Sequence, residues 1–317
     1  MRRERGVALL IVLLLLVAVA GVAVATTALM TRAIATAGAA QARDEGLWAL
    51  LGAERAALTL ADTGEPIPRA PVPVGTPDGP VTVTLRSRAC INVNALVTGQ
   101  PGEYATPKDG SGNLAGPGAA RMGALITALG GNGPAGLRLM EAAADFIDTD
   151  DVPNTGGAED FVYARRAVPY RTAGELLADP SELRAVEGWD VATYRALRPY
   201  LCALPSIQPL KLDVNGLRPE DAPLLAAILE DVPMSVAERL VTQRPQGGYE
   251  TLADFTSLPA VAQVQPAPSG LGELDVKPSL LELTATADRG GRTVTMTALI
   301  YDSPRGGWRV IARRFGA

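Results

Sequence analysis

The stretch RGVALLIVLLLLVAVAGVAVATTALM, residues 5–30, holds no charge from Val7 to Met30. A helix of that length, rising about 1.5 Å per residue, would reach roughly 36 Å, against a bilayer core of about 30 Å. The run is longer than the apolar part of a secretory signal and has no small-residue break, so it predicts a single membrane-spanning helix over 7–30. Arg2, Arg3 and Arg5 precede it with only Glu4 against them. The positive-inside rule then keeps the N-terminus cytoplasmic and sends the rest of the chain across the membrane.

Helical spacing continues through Leu47, Leu50, Leu51, Glu54, Leu58 and Leu60, until the proline-rich TGEPIPRAPVPVGTPDGP stops it. One helix from Val7 to about Ala61 follows, about 80 Å long. The apolar stripe on its outer half needs a cover, and strands of the same chain are the expected one. VTVTL (81–85) and RACINVNAL (88–96) are the first strand candidates. SLLELTATA, RTVTMTALIY and GWRVIARRF, separated by DRGG and SPRGG, predict a C-terminal antiparallel meander. In its middle strand Thr293, Thr295 and Thr297 face one way, and Val294, Met296, Ala298 and Ile300 the other.

Between these pieces, residues 117–258 read as short helices. Asp190 is placed to cap the helix containing Tyr194, and Ser235 with Glu238 forms an S-x-x-E capping box. VAQVQPAPSGLGELDVKP reads as a flexible linker back to the sheet. The expected fold is therefore α+β: a long N-terminal transmembrane helix packed on a small antiparallel sheet, with a large all-α insertion. Its parts are 1–6, 7–30, 31–116 as the first part of the α/β domain, 117–258 as the insertion, and 259–317 as linker and meander.

Composition removes several function classes. The 317 residues contain no histidine, which excludes His-based triads and the commonest zinc ligand. Twenty-nine Lys and Arg against 34 Asp and Glu leave a net charge of −5, without the basic footprint of a nucleic-acid binder. Cys90 and Cys202 are the two cysteines, too far apart for a C-x-x-C site. In an oxidising compartment they could pair, a closure worth about 4.7 kcal/mol for a loop of roughly 100 residues; the alternative is two separately buried thiols.

The segment DFIDTDDVPNTGGAED carries Asp145, Asp148, Asp150, Asp151, Glu159 and Asp160 with no base until Arg165. Carboxylates so crowded repel one another unless a cation joins them. Counted from Asp148, acids fall at positions 1, 3 and 12 of an EF-hand loop, but Val152 and Pro153 stand at positions 5 and 6, so it is not an EF-hand. Oxygen ligands on a Gly-containing loop still suit a hard cation. Asp148, Asp150, Asp151, Glu159 and Asp160 are the candidate ligands, with Glu159 the expected bidentate one; the alternative is a solvated acidic turn.

A short basic leader ending at Gly6 before an uncharged helix resembles the signal of type IV pilins and type II secretion pseudopilins. The resemblance implies removal of residues 1–6 by a prepilin peptidase and methylation of Val7. Most pilins have Glu at the fifth mature position, where this chain has Ile11. That departure, the helical insertion, and the segments INVNAL (91–96), ADFIDTDDVPNTGGAEDFVY (144–163) and KLDVNGL (211–217) resemble the K-type minor pseudopilin of the type II secretion pathway. A buried carboxylate with no partner costs several kcal/mol, so a subunit with no neighbour ahead of it does better without the acid.

The family implies a pilin-like fold and a place in the inner membrane with most of the chain periplasmic. It implies a role at the tip of the pseudopilus, initiating and capping it for protein export. It also implies calcium in the acidic region, and as partners the I-, J- and H-type minor pseudopilins, the major pseudopilin and the assembly platform. On this reading the chain is not an enzyme. The alternative is a membrane-anchored periplasmic nucleic-acid-binding protein, because LDVNGLRPEDAPLLAAILEDVPMSVAERLVTQ resembles helix-hairpin-helix or SAM-like modules. Its turn EDVPMS, however, has two acids and no glycine to bring N–H groups to a phosphate, so nucleic acid is not an expected partner.

Overall fold

The computed structural model describes residues 2–64, 67–68, 70–230, 232–264, 266–303 and 306–316. In chain order its helices are α1 (Arg2–Asp62), α2 (Pro117–Ala128), α3 (Gly133–Ile147), α4 (Asp160–Tyr163), α5 (Val191–Leu197), α6 (Ala222–Leu229), α7 (Met234–Thr242), α8 (Leu252–Thr256) and α9 (Pro259–Ala262). Its strands are β1 (Val72–Thr76), β2 (Gly79–Ser87), β3 (Ile91–Asn92), β4 (Thr98–Gln100), β5 (Glu103–Ala105), β6 (Leu201–Cys202), β7 (Leu212–Asp213), β8 (Leu274–Asp275), β9 (Leu280–Arg289), β10 (Arg292–Asp302) and β11 (Trp308–Gly316). Met1 of the leader lies outside the described residues.

The two halves of α1 meet different surroundings. From Val7 to Met30 its large apolar side chains project freely, with Ile11 51% and Met30 70% exposed. In the outer half, Ala49, Leu50, Ala53, Ala57 and Ala61 are buried against the sheet. Small residues let the backbones approach closely: a Cβ at Gly46 would lie 2.5 Å from Val294 Cγ2. The sheet runs β1-β2-β9-β10-β11, antiparallel throughout. Val81, Val83, Leu85, Leu281, Leu283, Val294, Met296 and Ile300 point to α1 in strict alternation. Each contributes about 1.5–3 kcal/mol by leaving water.

Strands β2 and β9 are neighbours although the whole helical region lies between them. That region docks on the other face of the sheet through Cys90, Cys202, Leu204, Leu210, Leu280 and Tyr301, and Cys90 is disulfide-bonded to Cys202. Its own core reaches beyond residues 117–258, from Ala89 to Leu274. It includes Ile91, Val93, Leu96 and Tyr104 because two short parallel pairings, β3 with β6 and β7 with β8, close the helical region at its base.

Three local expectations are corrected. RACINVNAL does not extend β2: the Asn92 carboxamide oxygen accepts from Asn94 N–H (3.2 Å), turning Val93–Leu96 into a 3-10 helix after two residues of strand. Ser235 does not cap α7, which starts at Met234 after Pro233, so the hydroxyl falls inside the first turn. The stretch 261–278 is docked rather than free, because buried Arg121 needs acceptors and takes them there. It pairs with Glu273 (3.0 Å) and Glu230 (2.6 Å) and donates to the Ser269 hydroxyl (2.6 Å). Asp190 does cap α5, accepting from Thr193 N–H at 2.7 Å, and a further strand, β1, forms within the proline-rich stretch.

Candidate metal centre

Glu141 and Asp145 on α3, and Asp148 directly after its last residue, are spaced by four and three residues and are all buried. The chain then turns back over them. Thr149 starts the return, its N–H and hydroxyl both donating to the Tyr104 carbonyl at 2.9 Å. Asn154 N–H donates to both oxygens of Asp145 (3.2 and 3.1 Å) and its side-chain amide to the same carboxylate. Gly156 N–H donates to Glu141 Oε2 at 2.8 Å. The next residue has no room for a side chain: a Cβ at Gly157 would lie 1.8 Å from Asp145 Oδ2. The two glycines of NTGGAED therefore let this loop close on α3.

Closure brings Asp148, Asp150 and Glu159 together, with an oxygen of each within 4.8 Å of the others. Asp148 is 2% and Glu159 1% exposed, while Asp150 reaches solvent. Asp148 Oδ2 accepts from the Thr106 hydroxyl (2.6 Å), which in turn accepts from Asn154 Nδ2 (3.2 Å). Asp148 Oδ1 and both oxygens of Glu159 are buried without a hydrogen-bond partner. Glu159 precedes α4 yet makes no capping bond with its side chain.

The electrostatic consequence is large. Burial, then the charges of Asp145, Asp148, Asp150 and Asp151, push the Glu159 carboxyl up to about 8. Asp148 is pushed up to about 6, first by burial, with Asp150 and Asp145 adding to it against the Thr106 hydrogen bond. Burial also raises Asp145. Three converging carboxylates with orphaned, buried oxygens suit a hard cation, which accepts several oxygen ligands at once and cancels the repulsion.

Two candidate ligands stand apart from this group. Asp151 is exposed and acts on Glu159 through its charge. Asp160 Oδ1 accepts from Thr172 N–H (2.8 Å) and hydroxyl (3.0 Å), and its Oδ2 lies 3.8 Å from Arg171. Sequence reading missed the support from Glu141, Thr106 and Asn154. The spacing of Glu141, Asp145 and Asp148 on a helical face was its available signal; Thr106 had none, being distant in the chain.

At the hairpin between α6 and α7, Glu230 adopts a left-handed backbone (φ 49°), and its carboxylate accepts from Arg121 and Ser269. A carboxylate thus stands where a phosphate cradle would present N–H groups.

Residues 89–206 and 212–277 match the family described as type II secretion system (T2SS), protein K. The chain is 35% identical over 267 residues to the type II secretion system protein K of Pectobacterium carotovorum subsp. carotovorum, covering 79% of this chain and 78% of that one. It is 31% identical over 303 residues to the protein of the same name from Dickeya chrysanthemi, 83% of each. Among solved structures it is similar to a chain of the GspK-GspI-GspJ complex from the type 2 secretion system of enterotoxigenic Escherichia coli. There the TM-score is 0.69 and the identity 27%, covering 90% of this chain and 99% of that one.

Proposed function

The chain belongs to the type II secretion system protein K family, and from that premise we propose that it is the minor pseudopilin at the tip of the pseudopilus, where it initiates and caps the filament. The observation that carries this reading is Ile11, an apolar residue on a bare helix where most pilins hold an acid. Bulk supports it: the helical region covers one sheet face while α1 covers the other, which leaves a subunit wider than a pilin core and poorly suited to an interior place. The relative solved together with GspI and GspJ extends to this chain as an expectation of I- and J-type partners, with the H-type and major pseudopilins below them.

In this reading the prepilin peptidase cuts between Gly6 and Val7 and Val7 is methylated. The helix from Val7 to Met30 anchors the protein in the inner membrane beside the assembly platform, N-terminus cytoplasmic and bulk periplasmic. Calcium is held by Asp148, Asp150 and Glu159, with Asp151 and Asp160 as outer charges, and the Cys90–Cys202 bond is kept in an oxidising compartment.

The test is co-expression of the full chain with its peptidase and the other minor pseudopilins. We expect a mature chain beginning at methylated Val7 that co-purifies with the I- and J-type subunits, and an Ile11→Glu variant that assembles less well. Retention of residues 1–6, or detection of this subunit at interior filament positions, would overturn the reading.

A further inference from the structure

The successive buried carboxylates Glu141, Asp145 and Asp148 have different tasks. Asp148 keeps one oxygen without a hydrogen-bond partner, and both oxygens of Glu159 are in the same state. Asp145 is different: it is 0% exposed, and its oxygens are occupied by the return loop. Asn154 N–H reaches both of them, at 3.2 and 3.1 Å, and the Asn154 amide nitrogen donates to Oδ1. Gly157 lies so close to Oδ2 that a Cβ there would force one of them to move. One turn earlier, Glu141 Oε2 accepts from Gly156 N–H at 2.8 Å. Two carboxylates of α3 therefore grip the backbone of 154–157, and Asp145 does not join the converging group of Asp148, Asp150 and Glu159.

What that grip fixes is Glu159. It stands two places after Gly157 in extended backbone (φ −109°, ψ −179°), and its side chain has no hydrogen bond to set its direction. Its place beside Asp148 is set through the backbone that Asp145 holds. Asn154 joins the two sides. Its amide has two N–H bonds, one directed to Asp145 Oδ1 and the other to the Thr106 hydroxyl (3.2 Å), which itself donates to Asp148 Oδ2 (2.6 Å). One residue thus ties the carboxylate that holds the loop to a carboxylate of the candidate ligand set. Groups that bind an ion have to be held to within about 0.5 Å, and the residues behind them do the holding.

We propose that Asp145, with Asn154 as its partner, is a positioning residue of the cation site: it places Glu159 without touching the ion. The assignment rests on the reading of the acidic loop as a calcium site.

The experiment measures the calcium Kd of the full-length chain in detergent micelles by calorimetric titration, at a temperature where every variant is folded with chelator present. Asn154→Ala and Gly157→Ala should each raise the Kd by about tenfold or more, although neither side chain is a ligand, and Asp145→Asn should act at least as strongly. A merely structural role would lower the melting transition of the chelated protein and leave the Kd of the folded protein where it was. A double-mutant cycle identifies the route. Terbium, whose third charge strengthens binding to oxygen ligands, extends the measurement to Glu159→Gln. There the effect of Asn154→Ala should disappear, whereas in Asp150→Asn it should persist. Wild-type binding with Asn154→Ala and Gly157→Ala within about twofold of it, or an undiminished Asn154→Ala effect in Glu159→Gln, would overturn the assignment alone. A wild-type chain that binds neither ion would overturn the calcium reading and the assignment together.

Discussion

Glu54 and Glu159 are both buried acids, 5% and 1% exposed, and the chain treats them in opposite ways. Glu54 sits where α1 meets the sheet, and Arg313 of β11 grips it with two bonds of 2.6 and 2.7 Å. Glu159 sits where the acidic loop meets α3, and its neighbours are other carboxylates. A buried carboxylate is tolerated only with compensation, and at α1 the compensation is a side chain of the same polypeptide. At the acidic loop the Glu159 oxygens have no hydrogen-bond partner among the described residues, and the compensation is either a proton on the carboxyl or the proposed cation.

The largest expected effect comes from supplying or withdrawing that cation. Calcium at a hundredfold excess over its Kd should raise the melting transition by roughly 5–10 °C, from about 2.7 kcal/mol of binding linkage. Glu159→Gln should abolish the response. A transition unmoved by calcium and by chelator would remove the difference between the two acids. Next, Arg313→Ala should cost about 2 kcal/mol by chemical denaturation, below the 3–5 of a fully buried pair because water reaches the arginine. Adding Glu54→Gln should recover part of the loss; a neutral Arg313→Ala would show that Glu54 needs no partner.

The pH dependence sharpens the contrast further. Asp148 and Glu159 have folded pKa values raised to about 6 and about 8, so without a cation the folded state holds protons that the unfolded chain has released. Stability is then present at low pH and is lost as pH rises from about 4 to about 8. With calcium bound the loss should disappear, and Glu159→Gln should stabilise the chelated protein at pH 8 by about 1 kcal/mol. Melting curves from pH 5 to 8, with and without chelator, check this; a parallel pair would refute it. The smallest effect is expected from Asp160→Asn, whose Thr172 bonds contribute about 1 kcal/mol or less and whose loss should leave the calcium response intact.

The same contrast explains which parts were legible beforehand. Asp190 was recognised as a cap because capping is decided within four residues, and the half-buried face of β10 because alternation is local. The acid-rich loop was recognised from density alone. Of the five candidate ligands the structure brings Asp148, Asp150 and Glu159 together, which no local pattern foretells, since Asp160 is turned to Thr172, twelve residues on, and Asp148 is oriented by Thr106, far earlier in the chain. The Ser235 cap failed for a related reason: a helix that starts one residue earlier leaves the hydroxyl inside the turn.

By itself the sequence determined a membrane-length apolar helix, a C-terminal meander of half-buried strands, a helical region between strands, and a concentration of acids in one loop. These follow from hydropathy and spacing over a few turns or pairs. Only the tertiary structure decided that β2 and β9 are neighbours, that Cys90 meets Cys202, and that three of the acids converge. Those outcomes depend on which distant surfaces pack together and on which buried groups find partners, and no local pattern carries that information.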